Sequence, residues 1–319
     1  MSVATAELPR ADAQKLAFVF PGQGSQYVGM GKALYEVSTA ARRVFQQADE
    51  TLGFKLSELC FEGPADELED TINAQPAILT VSTACLAALR ERLESLGQSW
   101  QPPKYVAGHS LGEYTALVAA GVLEFTDAVR LVRERGRLMK EQGKRRPGGM
   151  AAVIGLDRPA LEQACSQARK ETGRVVTVAN ANSPEQFVIS GERAALDRAI
   201  DLIRGAGART VVPLRITIAS HSPLMHQAAT KLAEIIDHSP LRDPQVPVVT
   251  NIAGQVRTSA EHIRHELGTQ MVAPVEWVGS VREMVANGVD TFVEIGPGQV
   301  LSRLIKRISS DVKAISLNA

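Results

Sequence analysis

The sequence predicts an α/β protein with a mostly parallel sheet and an inserted ferredoxin-like subdomain, and three features carry that prediction. Short apolar runs alternate with longer helical patterns over most of the chain, as in a parallel sheet covered by helices on both faces. Between residues 147 and 216 the rhythm changes to strand, helix, strand, strand, helix, strand, the βαββαβ order of a ferredoxin-like unit. The 319 residues, 45% of them hydrophobic, suffice for one large domain carrying a smaller one, with a core that needs no disulfides. The expected boundaries are a flexible tail over residues 1–14, a body over 15–146 and 217–319, and the insert over 147–216.

Residues 15–20 (KLAFVF) form an apolar run bounded by Pro21, Gly22 and Gly24, which predicts a buried strand ending in a tight loop, with a helix from about residue 28. Residues 77–96 carry leucine and alanine at helical spacing and stop at Gly97; after Pro102-Pro103 a second short strand, 105–108, runs straight into an alanine-rich helix over 113–120. Thr126 opens another helix that continues to about residue 142. The stretch KRRPGG (144–149) breaks the pattern. The insert then reads as strand 150–155, helix 159–170, strands 175–179 and 186–190, helix 192–204 and strand 209–214. Helices over 225–237 and 259–267, a buried strand over 291–295 ending in Gly296-Pro297-Gly298, and a last helix over 299–308 complete the chain.

Lysine plus arginine and aspartate plus glutamate each count 35, so no net field favours a polyanion and a nucleic-acid role is not expected. Cys60, Cys85 and Cys165 fit neither a zinc-ligand spacing nor an even-numbered disulfide framework, which predicts a reducing compartment and no metal site. The first residues lack the apolar stretch of a secretory signal, and no run of eighteen apolar residues follows, so a cytoplasmic protein without a membrane span is expected.

Gly108-His109-Ser110-Leu111-Gly112 matches G-x-S-x-G directly after an apolar strand and at the first turn of a helix, where a sharp turn pushes a serine hydroxyl out of the sheet. The bland alternative is a glycine-rich turn with a capping serine. A serine at its normal pKa is a weak nucleophile and needs a base within hydrogen-bond reach. Of six histidines, His109 adjoins Ser110 but points elsewhere on a turn, His262 and His265 lie on a charged helical face, His238 sits in a loop and His226 in a helix. His221 ends the extended segment 210–218 among small residues, the place for a base facing the elbow; a core or turn histidine is the alternative.

On the helix opened by Thr126, Ala128, Leu131, Val132, Leu138 and Met139 form an apolar stripe. Arg135 stands inside it, while Arg130, Arg133, Glu134, Arg137, Lys140 and Glu141 face the other way. A guanidinium turned toward the core needs an anion, either a structural Asp or Glu or a carboxylate brought by a substrate.

Together these residues resemble the malonyl-CoA:acyl-carrier-protein transacylases and the related acyltransferase domains of polyketide synthases. The likeness spans about residues 16–308 and rests on Phe20-Pro21-Gly22-Gln23-Gly24-Ser25-Gln26, Gly108-His109-Ser110-Leu111-Gly112-Glu113, Arg135-Gly136, Ala179-Asn180-Ala181-Asn182-Ser183-Pro184, Ser220-His221-Ser222, Gln270 ahead of Pro274-Val275, and Gly296-Pro297-Gly298. The resemblance implies an α/β-hydrolase-like body with a ferredoxin-like insert. It implies Ser110 as nucleophile, His221 as its base, the amides of Gln23 and Leu111 as oxyanion hole, and Arg135 as the holder of the malonyl carboxylate. The histidine would be oriented by a backbone carbonyl near Gln270, and Gln270 would join Arg135 in binding the substrate.

The implied reaction is ping-pong transfer of malonyl from malonyl-CoA to the phosphopantetheine thiol of an acyl carrier protein through a malonyl-serine, for fatty acid or polyketide synthesis. No cofactor is expected, coenzyme A thioester being a substrate, and the protein is expected to be a monomer. In modular polyketide acyltransferases His-Ala-Phe-His goes with malonyl and Tyr-Ala-Ser-His with methylmalonyl. Ile218-Ala219-Ser220-His221 follows the second in part, whereas Leu111 suits malonyl; malonyl is expected and a branched extender stays open. A thioester hydrolase with the same serine and histidine is the nearest rival, against which Arg135 argues; a silent carrier-docking module is another. Lys144-Arg145-Arg146, and Arg303, Lys306 and Arg307 on the last helix, are either solvated or a docking surface for a carrier or for coenzyme A phosphates.

Overall fold

The apolar run after Lys15 becomes the centre of a six-stranded sheet in a computed structural model of the chain, which describes residues 12–318. The strands among these residues are β1 (Leu16–Phe20), β2 (Tyr105–Gly108), β3 (Gly148–Ile154), β4 (Val176–Ser183), β5 (Gln186–Glu192), β6 (Thr210–Pro213), β7 (Val248–Val249), β8 (Val256–Arg257), β9 (Thr291–Ile295) and β10 (Lys313–Leu317). The helices are α1 (Lys32–Val37), α2 (Thr39–Leu52), α3 (Leu56–Glu62), α4 (Ala65–Glu69), α5 (Thr71–Ser95), α6 (Gly112–Ala119), α7 (Phe125–Arg145), α8 (Arg158–Thr172), α9 (Arg193–Gly205), α10 (His226–Asp237), α11 (Ala260–Thr269), α12 (Trp277–Ala286) and α13 (Val300–Ile308).

The larger sheet has the order β10-β9-β1-β2-β7-β8, parallel except for the final β7–β8 pair. All five residues of β1 are buried, because helices cover both faces and alternate side chains feed two cores. Leu16, Phe18 and Phe20 pack in the core built with α2, α5, α6, α7 and α10. Ala17 and Val19 face the opposite core, filled by Trp277 and Val281 of α12 and by Leu301, Leu304 and Ile305 of α13. The site lies beyond the C-terminal ends of β1 and β2, which finish in register at Phe20 and Gly108.

The second sheet is antiparallel, in the order β4-β5-β3-β6. Its first, second, third and fourth strands in the chain thus lie with the third between the second and the first, the arrangement of a ferredoxin-like unit. Leu161 and Cys165 of α8 and Leu196, Ile200 and Ile203 of α9 cover one face together with Ala151, Val153 and Ile189 from the strands. The fold is therefore of the α/β class expected.

Several elements differ from the reading of the sequence. No helix starts at residue 28; turns lead to α1 at Lys32. The pattern over 77–96 begins earlier, at Thr71, where the Asp70 side chain accepts from the Ile72 N–H, and the helix runs through Pro76. A proline inside a helix removes one donor, but Ala74, Gln75, Pro76 and Ala77 are all buried, so packing holds the turn together. α5 is long and apolar enough to cross a membrane, yet most of it is buried inside the fold, as a core helix is. α7 continues to Arg145, so the break lies at Arg146-Pro147 rather than at Lys144. Strand β6 ends at Pro213, within a residue of the strand expected, and the rest of the extended segment to residue 218 forms no strand.

The elements α2, α3, α4, α12, β7, β8 and β10 were not anticipated. The tail expected over residues 1–14 lies outside the described residues as far as residue 11; Asp12 then caps a 3-10 turn, Ala13–Lys15, that leads into β1.

Candidate active site

The turn from β2 to α6 puts Ser110 at φ 51°, a left-handed backbone that a residue with a Cβ adopts only when its surroundings hold it there. Its flanking glycines are dictated by space. A Cβ on Gly108 would stand 1.9 Å from the Gly112 backbone, and one on Gly112 would stand 2.0 Å from the Phe20 carbonyl oxygen. Gly112→Ala is therefore expected to cost roughly 3 kcal/mol or more, since the obstructing atom is backbone. Calorimetry reads this as a lowered Tm, and an unchanged Tm would mean that the elbow relaxes freely. Asn251, just after β7, pins the turn from the side: its Oδ1 accepts from the Ser110 N–H at 2.6 Å and its Nδ2 donates to the Gly108 carbonyl at 2.6 Å.

His221 faces this serine from the other side, with Nε2 2.8 Å from Ser110 Oγ. It too has a positive φ, 55°. Its neighbours hold it: Ser222 Oγ donates to the Ala219 carbonyl at 2.7 Å and caps the 3-10 turn Pro223–Met225. The Nδ1 atom lies 3.1 Å from the carbonyl oxygens of both Gln270 and Ala273. Two acceptors there require the proton on Nδ1, which leaves Nε2 with its lone pair toward the serine hydroxyl. Burial, then the charge of Arg135, pull the imidazole pKa down to about 3, so the ring is neutral and able to take a proton.

Arg135 reaches the same point from α7. It is 2% exposed; Nη1 donates to Gln75 Oε1 at 2.8 Å, and Nη2 donates to Gln270 Oε1 at 3.0 Å and to Ser110 Oγ at 3.1 Å. Its Nε has no partner, and Cζ sits 5.6 Å from the centre of the Tyr114 ring. Among the described residues no carboxylate lies within ion-pair distance of it. The nearest acid in the site, Glu113, is itself buried, and burial with the added charge of Glu266 pushes its pKa up to about 8. Of the two anions open to Arg135, the structural one is missing: a buried cation is held by neutral oxygens beside a serine hydroxyl.

The N–H groups of Gln23 and Leu111 donate to no other group among the described residues. Gln23 lies in the loop after β1, whose Gly22 packs so tightly on the elbow that a Cβ there would stand 2.4 Å from the His109 carbonyl oxygen. Ser110, His221 and Arg135, read from the residues, and Gln270, implied by the resemblance, are joined by hydrogen bonds, while Gln23 and Leu111, also implied by the resemblance, border the elbow. His109 does point away, with Nε2 2.8 Å from Asn182 Oδ1 on β4. His262 and His265 are exposed on α11. Arg145 and Arg146 of the basic run pair with Glu141 and Glu192.

Reasoning from sequence missed Gln75, Asn251 and the reach of Glu113. The signals were present: Gln75 is polar within an apolar helix, and Glu113 is the one acid in the apolar stretch 112–120. Asn251 ends the short run Val248-Val249-Thr250 and carried no pattern of its own. The second sheet joins the site through β4, where Val275 N–H donates to the Ala179 carbonyl at 2.9 Å and Ala181 N–H to the Val275 carbonyl at 2.9 Å. This fixes the segment 270–275 that carries the two carbonyls against His221.

An elbow serine, a neutral imidazole and an unpaired buried cation form a constellation for acyl transfer, and the chain's similarities agree. A family model described as acyl transferase domain matches residues 17–317. The chain belongs to the acyl transferase family. This acyl transferase is 47% identical over 304 residues to the malonyl CoA-acyl carrier protein transacylase of Bacillus subtilis, covering 95% of this chain and 93% of that one. It is 43% identical over 304 residues to the Escherichia coli (strain K12) protein of the same name, with 95% and 96% covered. Among solved structures, an acyl carrier protein S-malonyltransferase from Vibrio cholerae superposes with a TM-score of 0.88 at 40% identity, covering 95% of this chain and 97% of that one. A malonyl-transacylase in complex with its type II PKS acyl-carrier protein superposes with a TM-score of 0.89 at 41% identity, with 95% and 96% covered.

Proposed function

We propose that this acyl transferase moves a malonyl group from malonyl-CoA to the phosphopantetheine thiol of an acyl carrier protein, supplying fatty acid or polyketide synthesis. The observation that carries the reading is the unpaired guanidinium of Arg135, 3.1 Å from Ser110 Oγ. An acyl group with a free carboxylate on its far end brings the missing anion to that place when its thioester carbon meets the serine. The match to transacylases of that name over nearly the whole chain supports it.

In the first half-reaction His221 Nε2 takes the Ser110 proton while Oγ attacks the thioester carbonyl. The resulting oxyanion is met by the N–H groups of Gln23 and Leu111, whose removal in such sites typically costs about 10²–10³ in kcat per donor. The tetrahedral centre collapses, the coenzyme A thiolate leaves with the proton from His221, and malonyl-Ser110 remains. In the second, the carrier's thiol gives its proton to His221 and its sulfur attacks the ester; collapse returns the proton to Ser110 Oγ. Coenzyme A enters as part of a substrate and not as a resident cofactor. Three free buried thiols, Cys60, Cys85 and Cys165, support a cytoplasmic setting.

Incubation with a panel of acyl-CoAs, followed by intact-protein mass measurement and then by addition of holo carrier protein, tests the reading. Malonyl is expected to load onto the enzyme and to leave it only when the carrier is present. Release of free malonate at the same rate without carrier would make the protein a hydrolase.

A further inference from the structure

Glu113, on the first turn of α6 and 1% exposed, touches none of the reacting atoms yet links the segments that hold them. Its Oε2 accepts from the Asn251 N–H at 3.0 Å and from Gln270 Nε2 at 3.1 Å. The same Gln270 Nε2 lies 3.2 Å from the Ser110 carbonyl oxygen. Both acceptors therefore sit on the nitrogen end of the amide, and the oxygen end is left facing Arg135 Nη2. Turned over, the amide would set its NH₂ against a guanidinium that only donates and its oxygen against two acceptors. Meanwhile Asn251, tethered to the same carboxyl through its backbone, spends its side chain on the elbow.

We propose that Glu113 is a positioning residue that sets the preference for carboxylate-bearing acyl groups, by fixing the Gln270 amide in the sense that aims Arg135 Nη2 at the acyl site. The inference rests on the proposed malonyl transfer and deepens it. Glu113 works as the neutral acid. The charged and titratable groups facing it are Arg135 from α7, Glu266 from α11, and Tyr114 beside it on α6; Glu266 is itself paired with Arg257 at 3.3 Å. Burial and Glu266 keep the carboxyl protonated up to about pH 8, against the opposing pull of Arg135 and of the two donors. Neutral, it leaves the Arg135 charge for the substrate; ionised, it competes with the substrate carboxylate for that charge.

The test measures kcat/KM for malonyl-CoA and acetyl-CoA between about pH 6 and 9 in wild type, Glu113→Gln and Glu113→Ala. Glu113→Ala is expected to lower the malonyl-to-acetyl ratio about tenfold, chiefly through the KM for malonyl-CoA, by loosening the amide, whose NH₂ end then keeps only the Ser110 carbonyl. Glu113→Gln keeps a neutral acceptor oxygen, so it is expected to restore the ratio and to abolish the alkaline fall in malonyl kcat/KM that wild type shows above about pH 8. Gln270→Ala removes the amide through which Glu113 acts, so on its own it should lower the ratio by a similar factor, and a ratio left unchanged by it would overturn the inference. This arm stands even where Glu113→Ala fails to fold. Equal losses for both substrates in Glu113→Ala, or an alkaline fall that persists in Glu113→Gln, would overturn the inference. A wild type that does not prefer malonyl would instead overturn the proposed function, so the two failures are distinguishable.

Discussion

Ser110→Ala is expected to yield no covalent acyl-enzyme with malonyl-CoA and to lower transfer to the carrier by about 10⁴-fold or more, the scale at which loss of a nucleophile strips a site of its chemistry. The hydroxyl is the point on which the site converges: Oγ lies 2.8 Å from His221 Nε2 and 3.1 Å from Arg135 Nη2. The substitution removes the attacking atom and leaves intact what holds the turn, because Asn251 binds the Ser110 backbone and not its side chain. A folded, inert protein is the expected product. Intact-protein mass measurement after incubation with malonyl-CoA reads the result, with circular dichroism as the check on folding. A malonylated species that survives in Ser110→Ala would move the nucleophile elsewhere.

Much of this site was legible because each member violates the local pattern around it. Ser110 stands between glycines at a strand end, His221 among small residues at the end of an extended segment, and Arg135 inside an apolar stripe. Each is a local cost that a fold keeps only for a reason. What was illegible depends on which segments meet. Asn251 joins the elbow across 141 residues and Gln75 joins Arg135 across 60, and a lone amide gives no sign of such a partner. Similarly, β7 and β8 have two residues each, too few for any alternation to register, and β10 is recognised by pairing with β9. The βαββαβ order, in contrast, was visible because each of its helices is amphipathic and each connection short. The first turns of α5, Thr71–Pro76, lie ahead of the leucine–alanine run that marks the helix, and burial rather than local pattern holds Pro76 within it.

Arg135→Ala should separate malonyl from acetyl in both affinity and rate. A charge-assisted pair to the malonyl carboxylate is worth about 1.5–3 kcal/mol, so malonyl kcat/KM is expected to fall by about 10- to 150-fold, while acetyl, which lacks the carboxylate, loses far less. A second consequence follows from the position of the guanidinium beside the base. In the free enzyme burial and then the Arg135 charge hold the His221 pKa down at about 3, because a nearby cation disfavours the imidazolium. A malonyl carboxylate paired with Arg135 cancels that charge and strengthens His221 as a base, whereas acetyl leaves it suppressed; the preference for malonyl should therefore appear in kcat as well as in KM. Removing the cation by mutation acts in the same direction on the empty site. The acid limb of acetyl kcat/KM is expected to move upward in Arg135→Ala, toward but short of the ordinary histidine value of about 6.5, since burial remains. The sign carries over to stability. His221 has a depressed folded pKa, so its contribution is present above about pH 6.5 and is lost as pH falls toward 3; with Arg135 removed, that window of loss narrows from its acid end. Steady-state profiles with both acyl-CoAs check the first effect and pH-dependent denaturation the second. Equal losses for malonyl and acetyl, with an acid limb that stays in place, would detach Arg135 from both the substrate and the base.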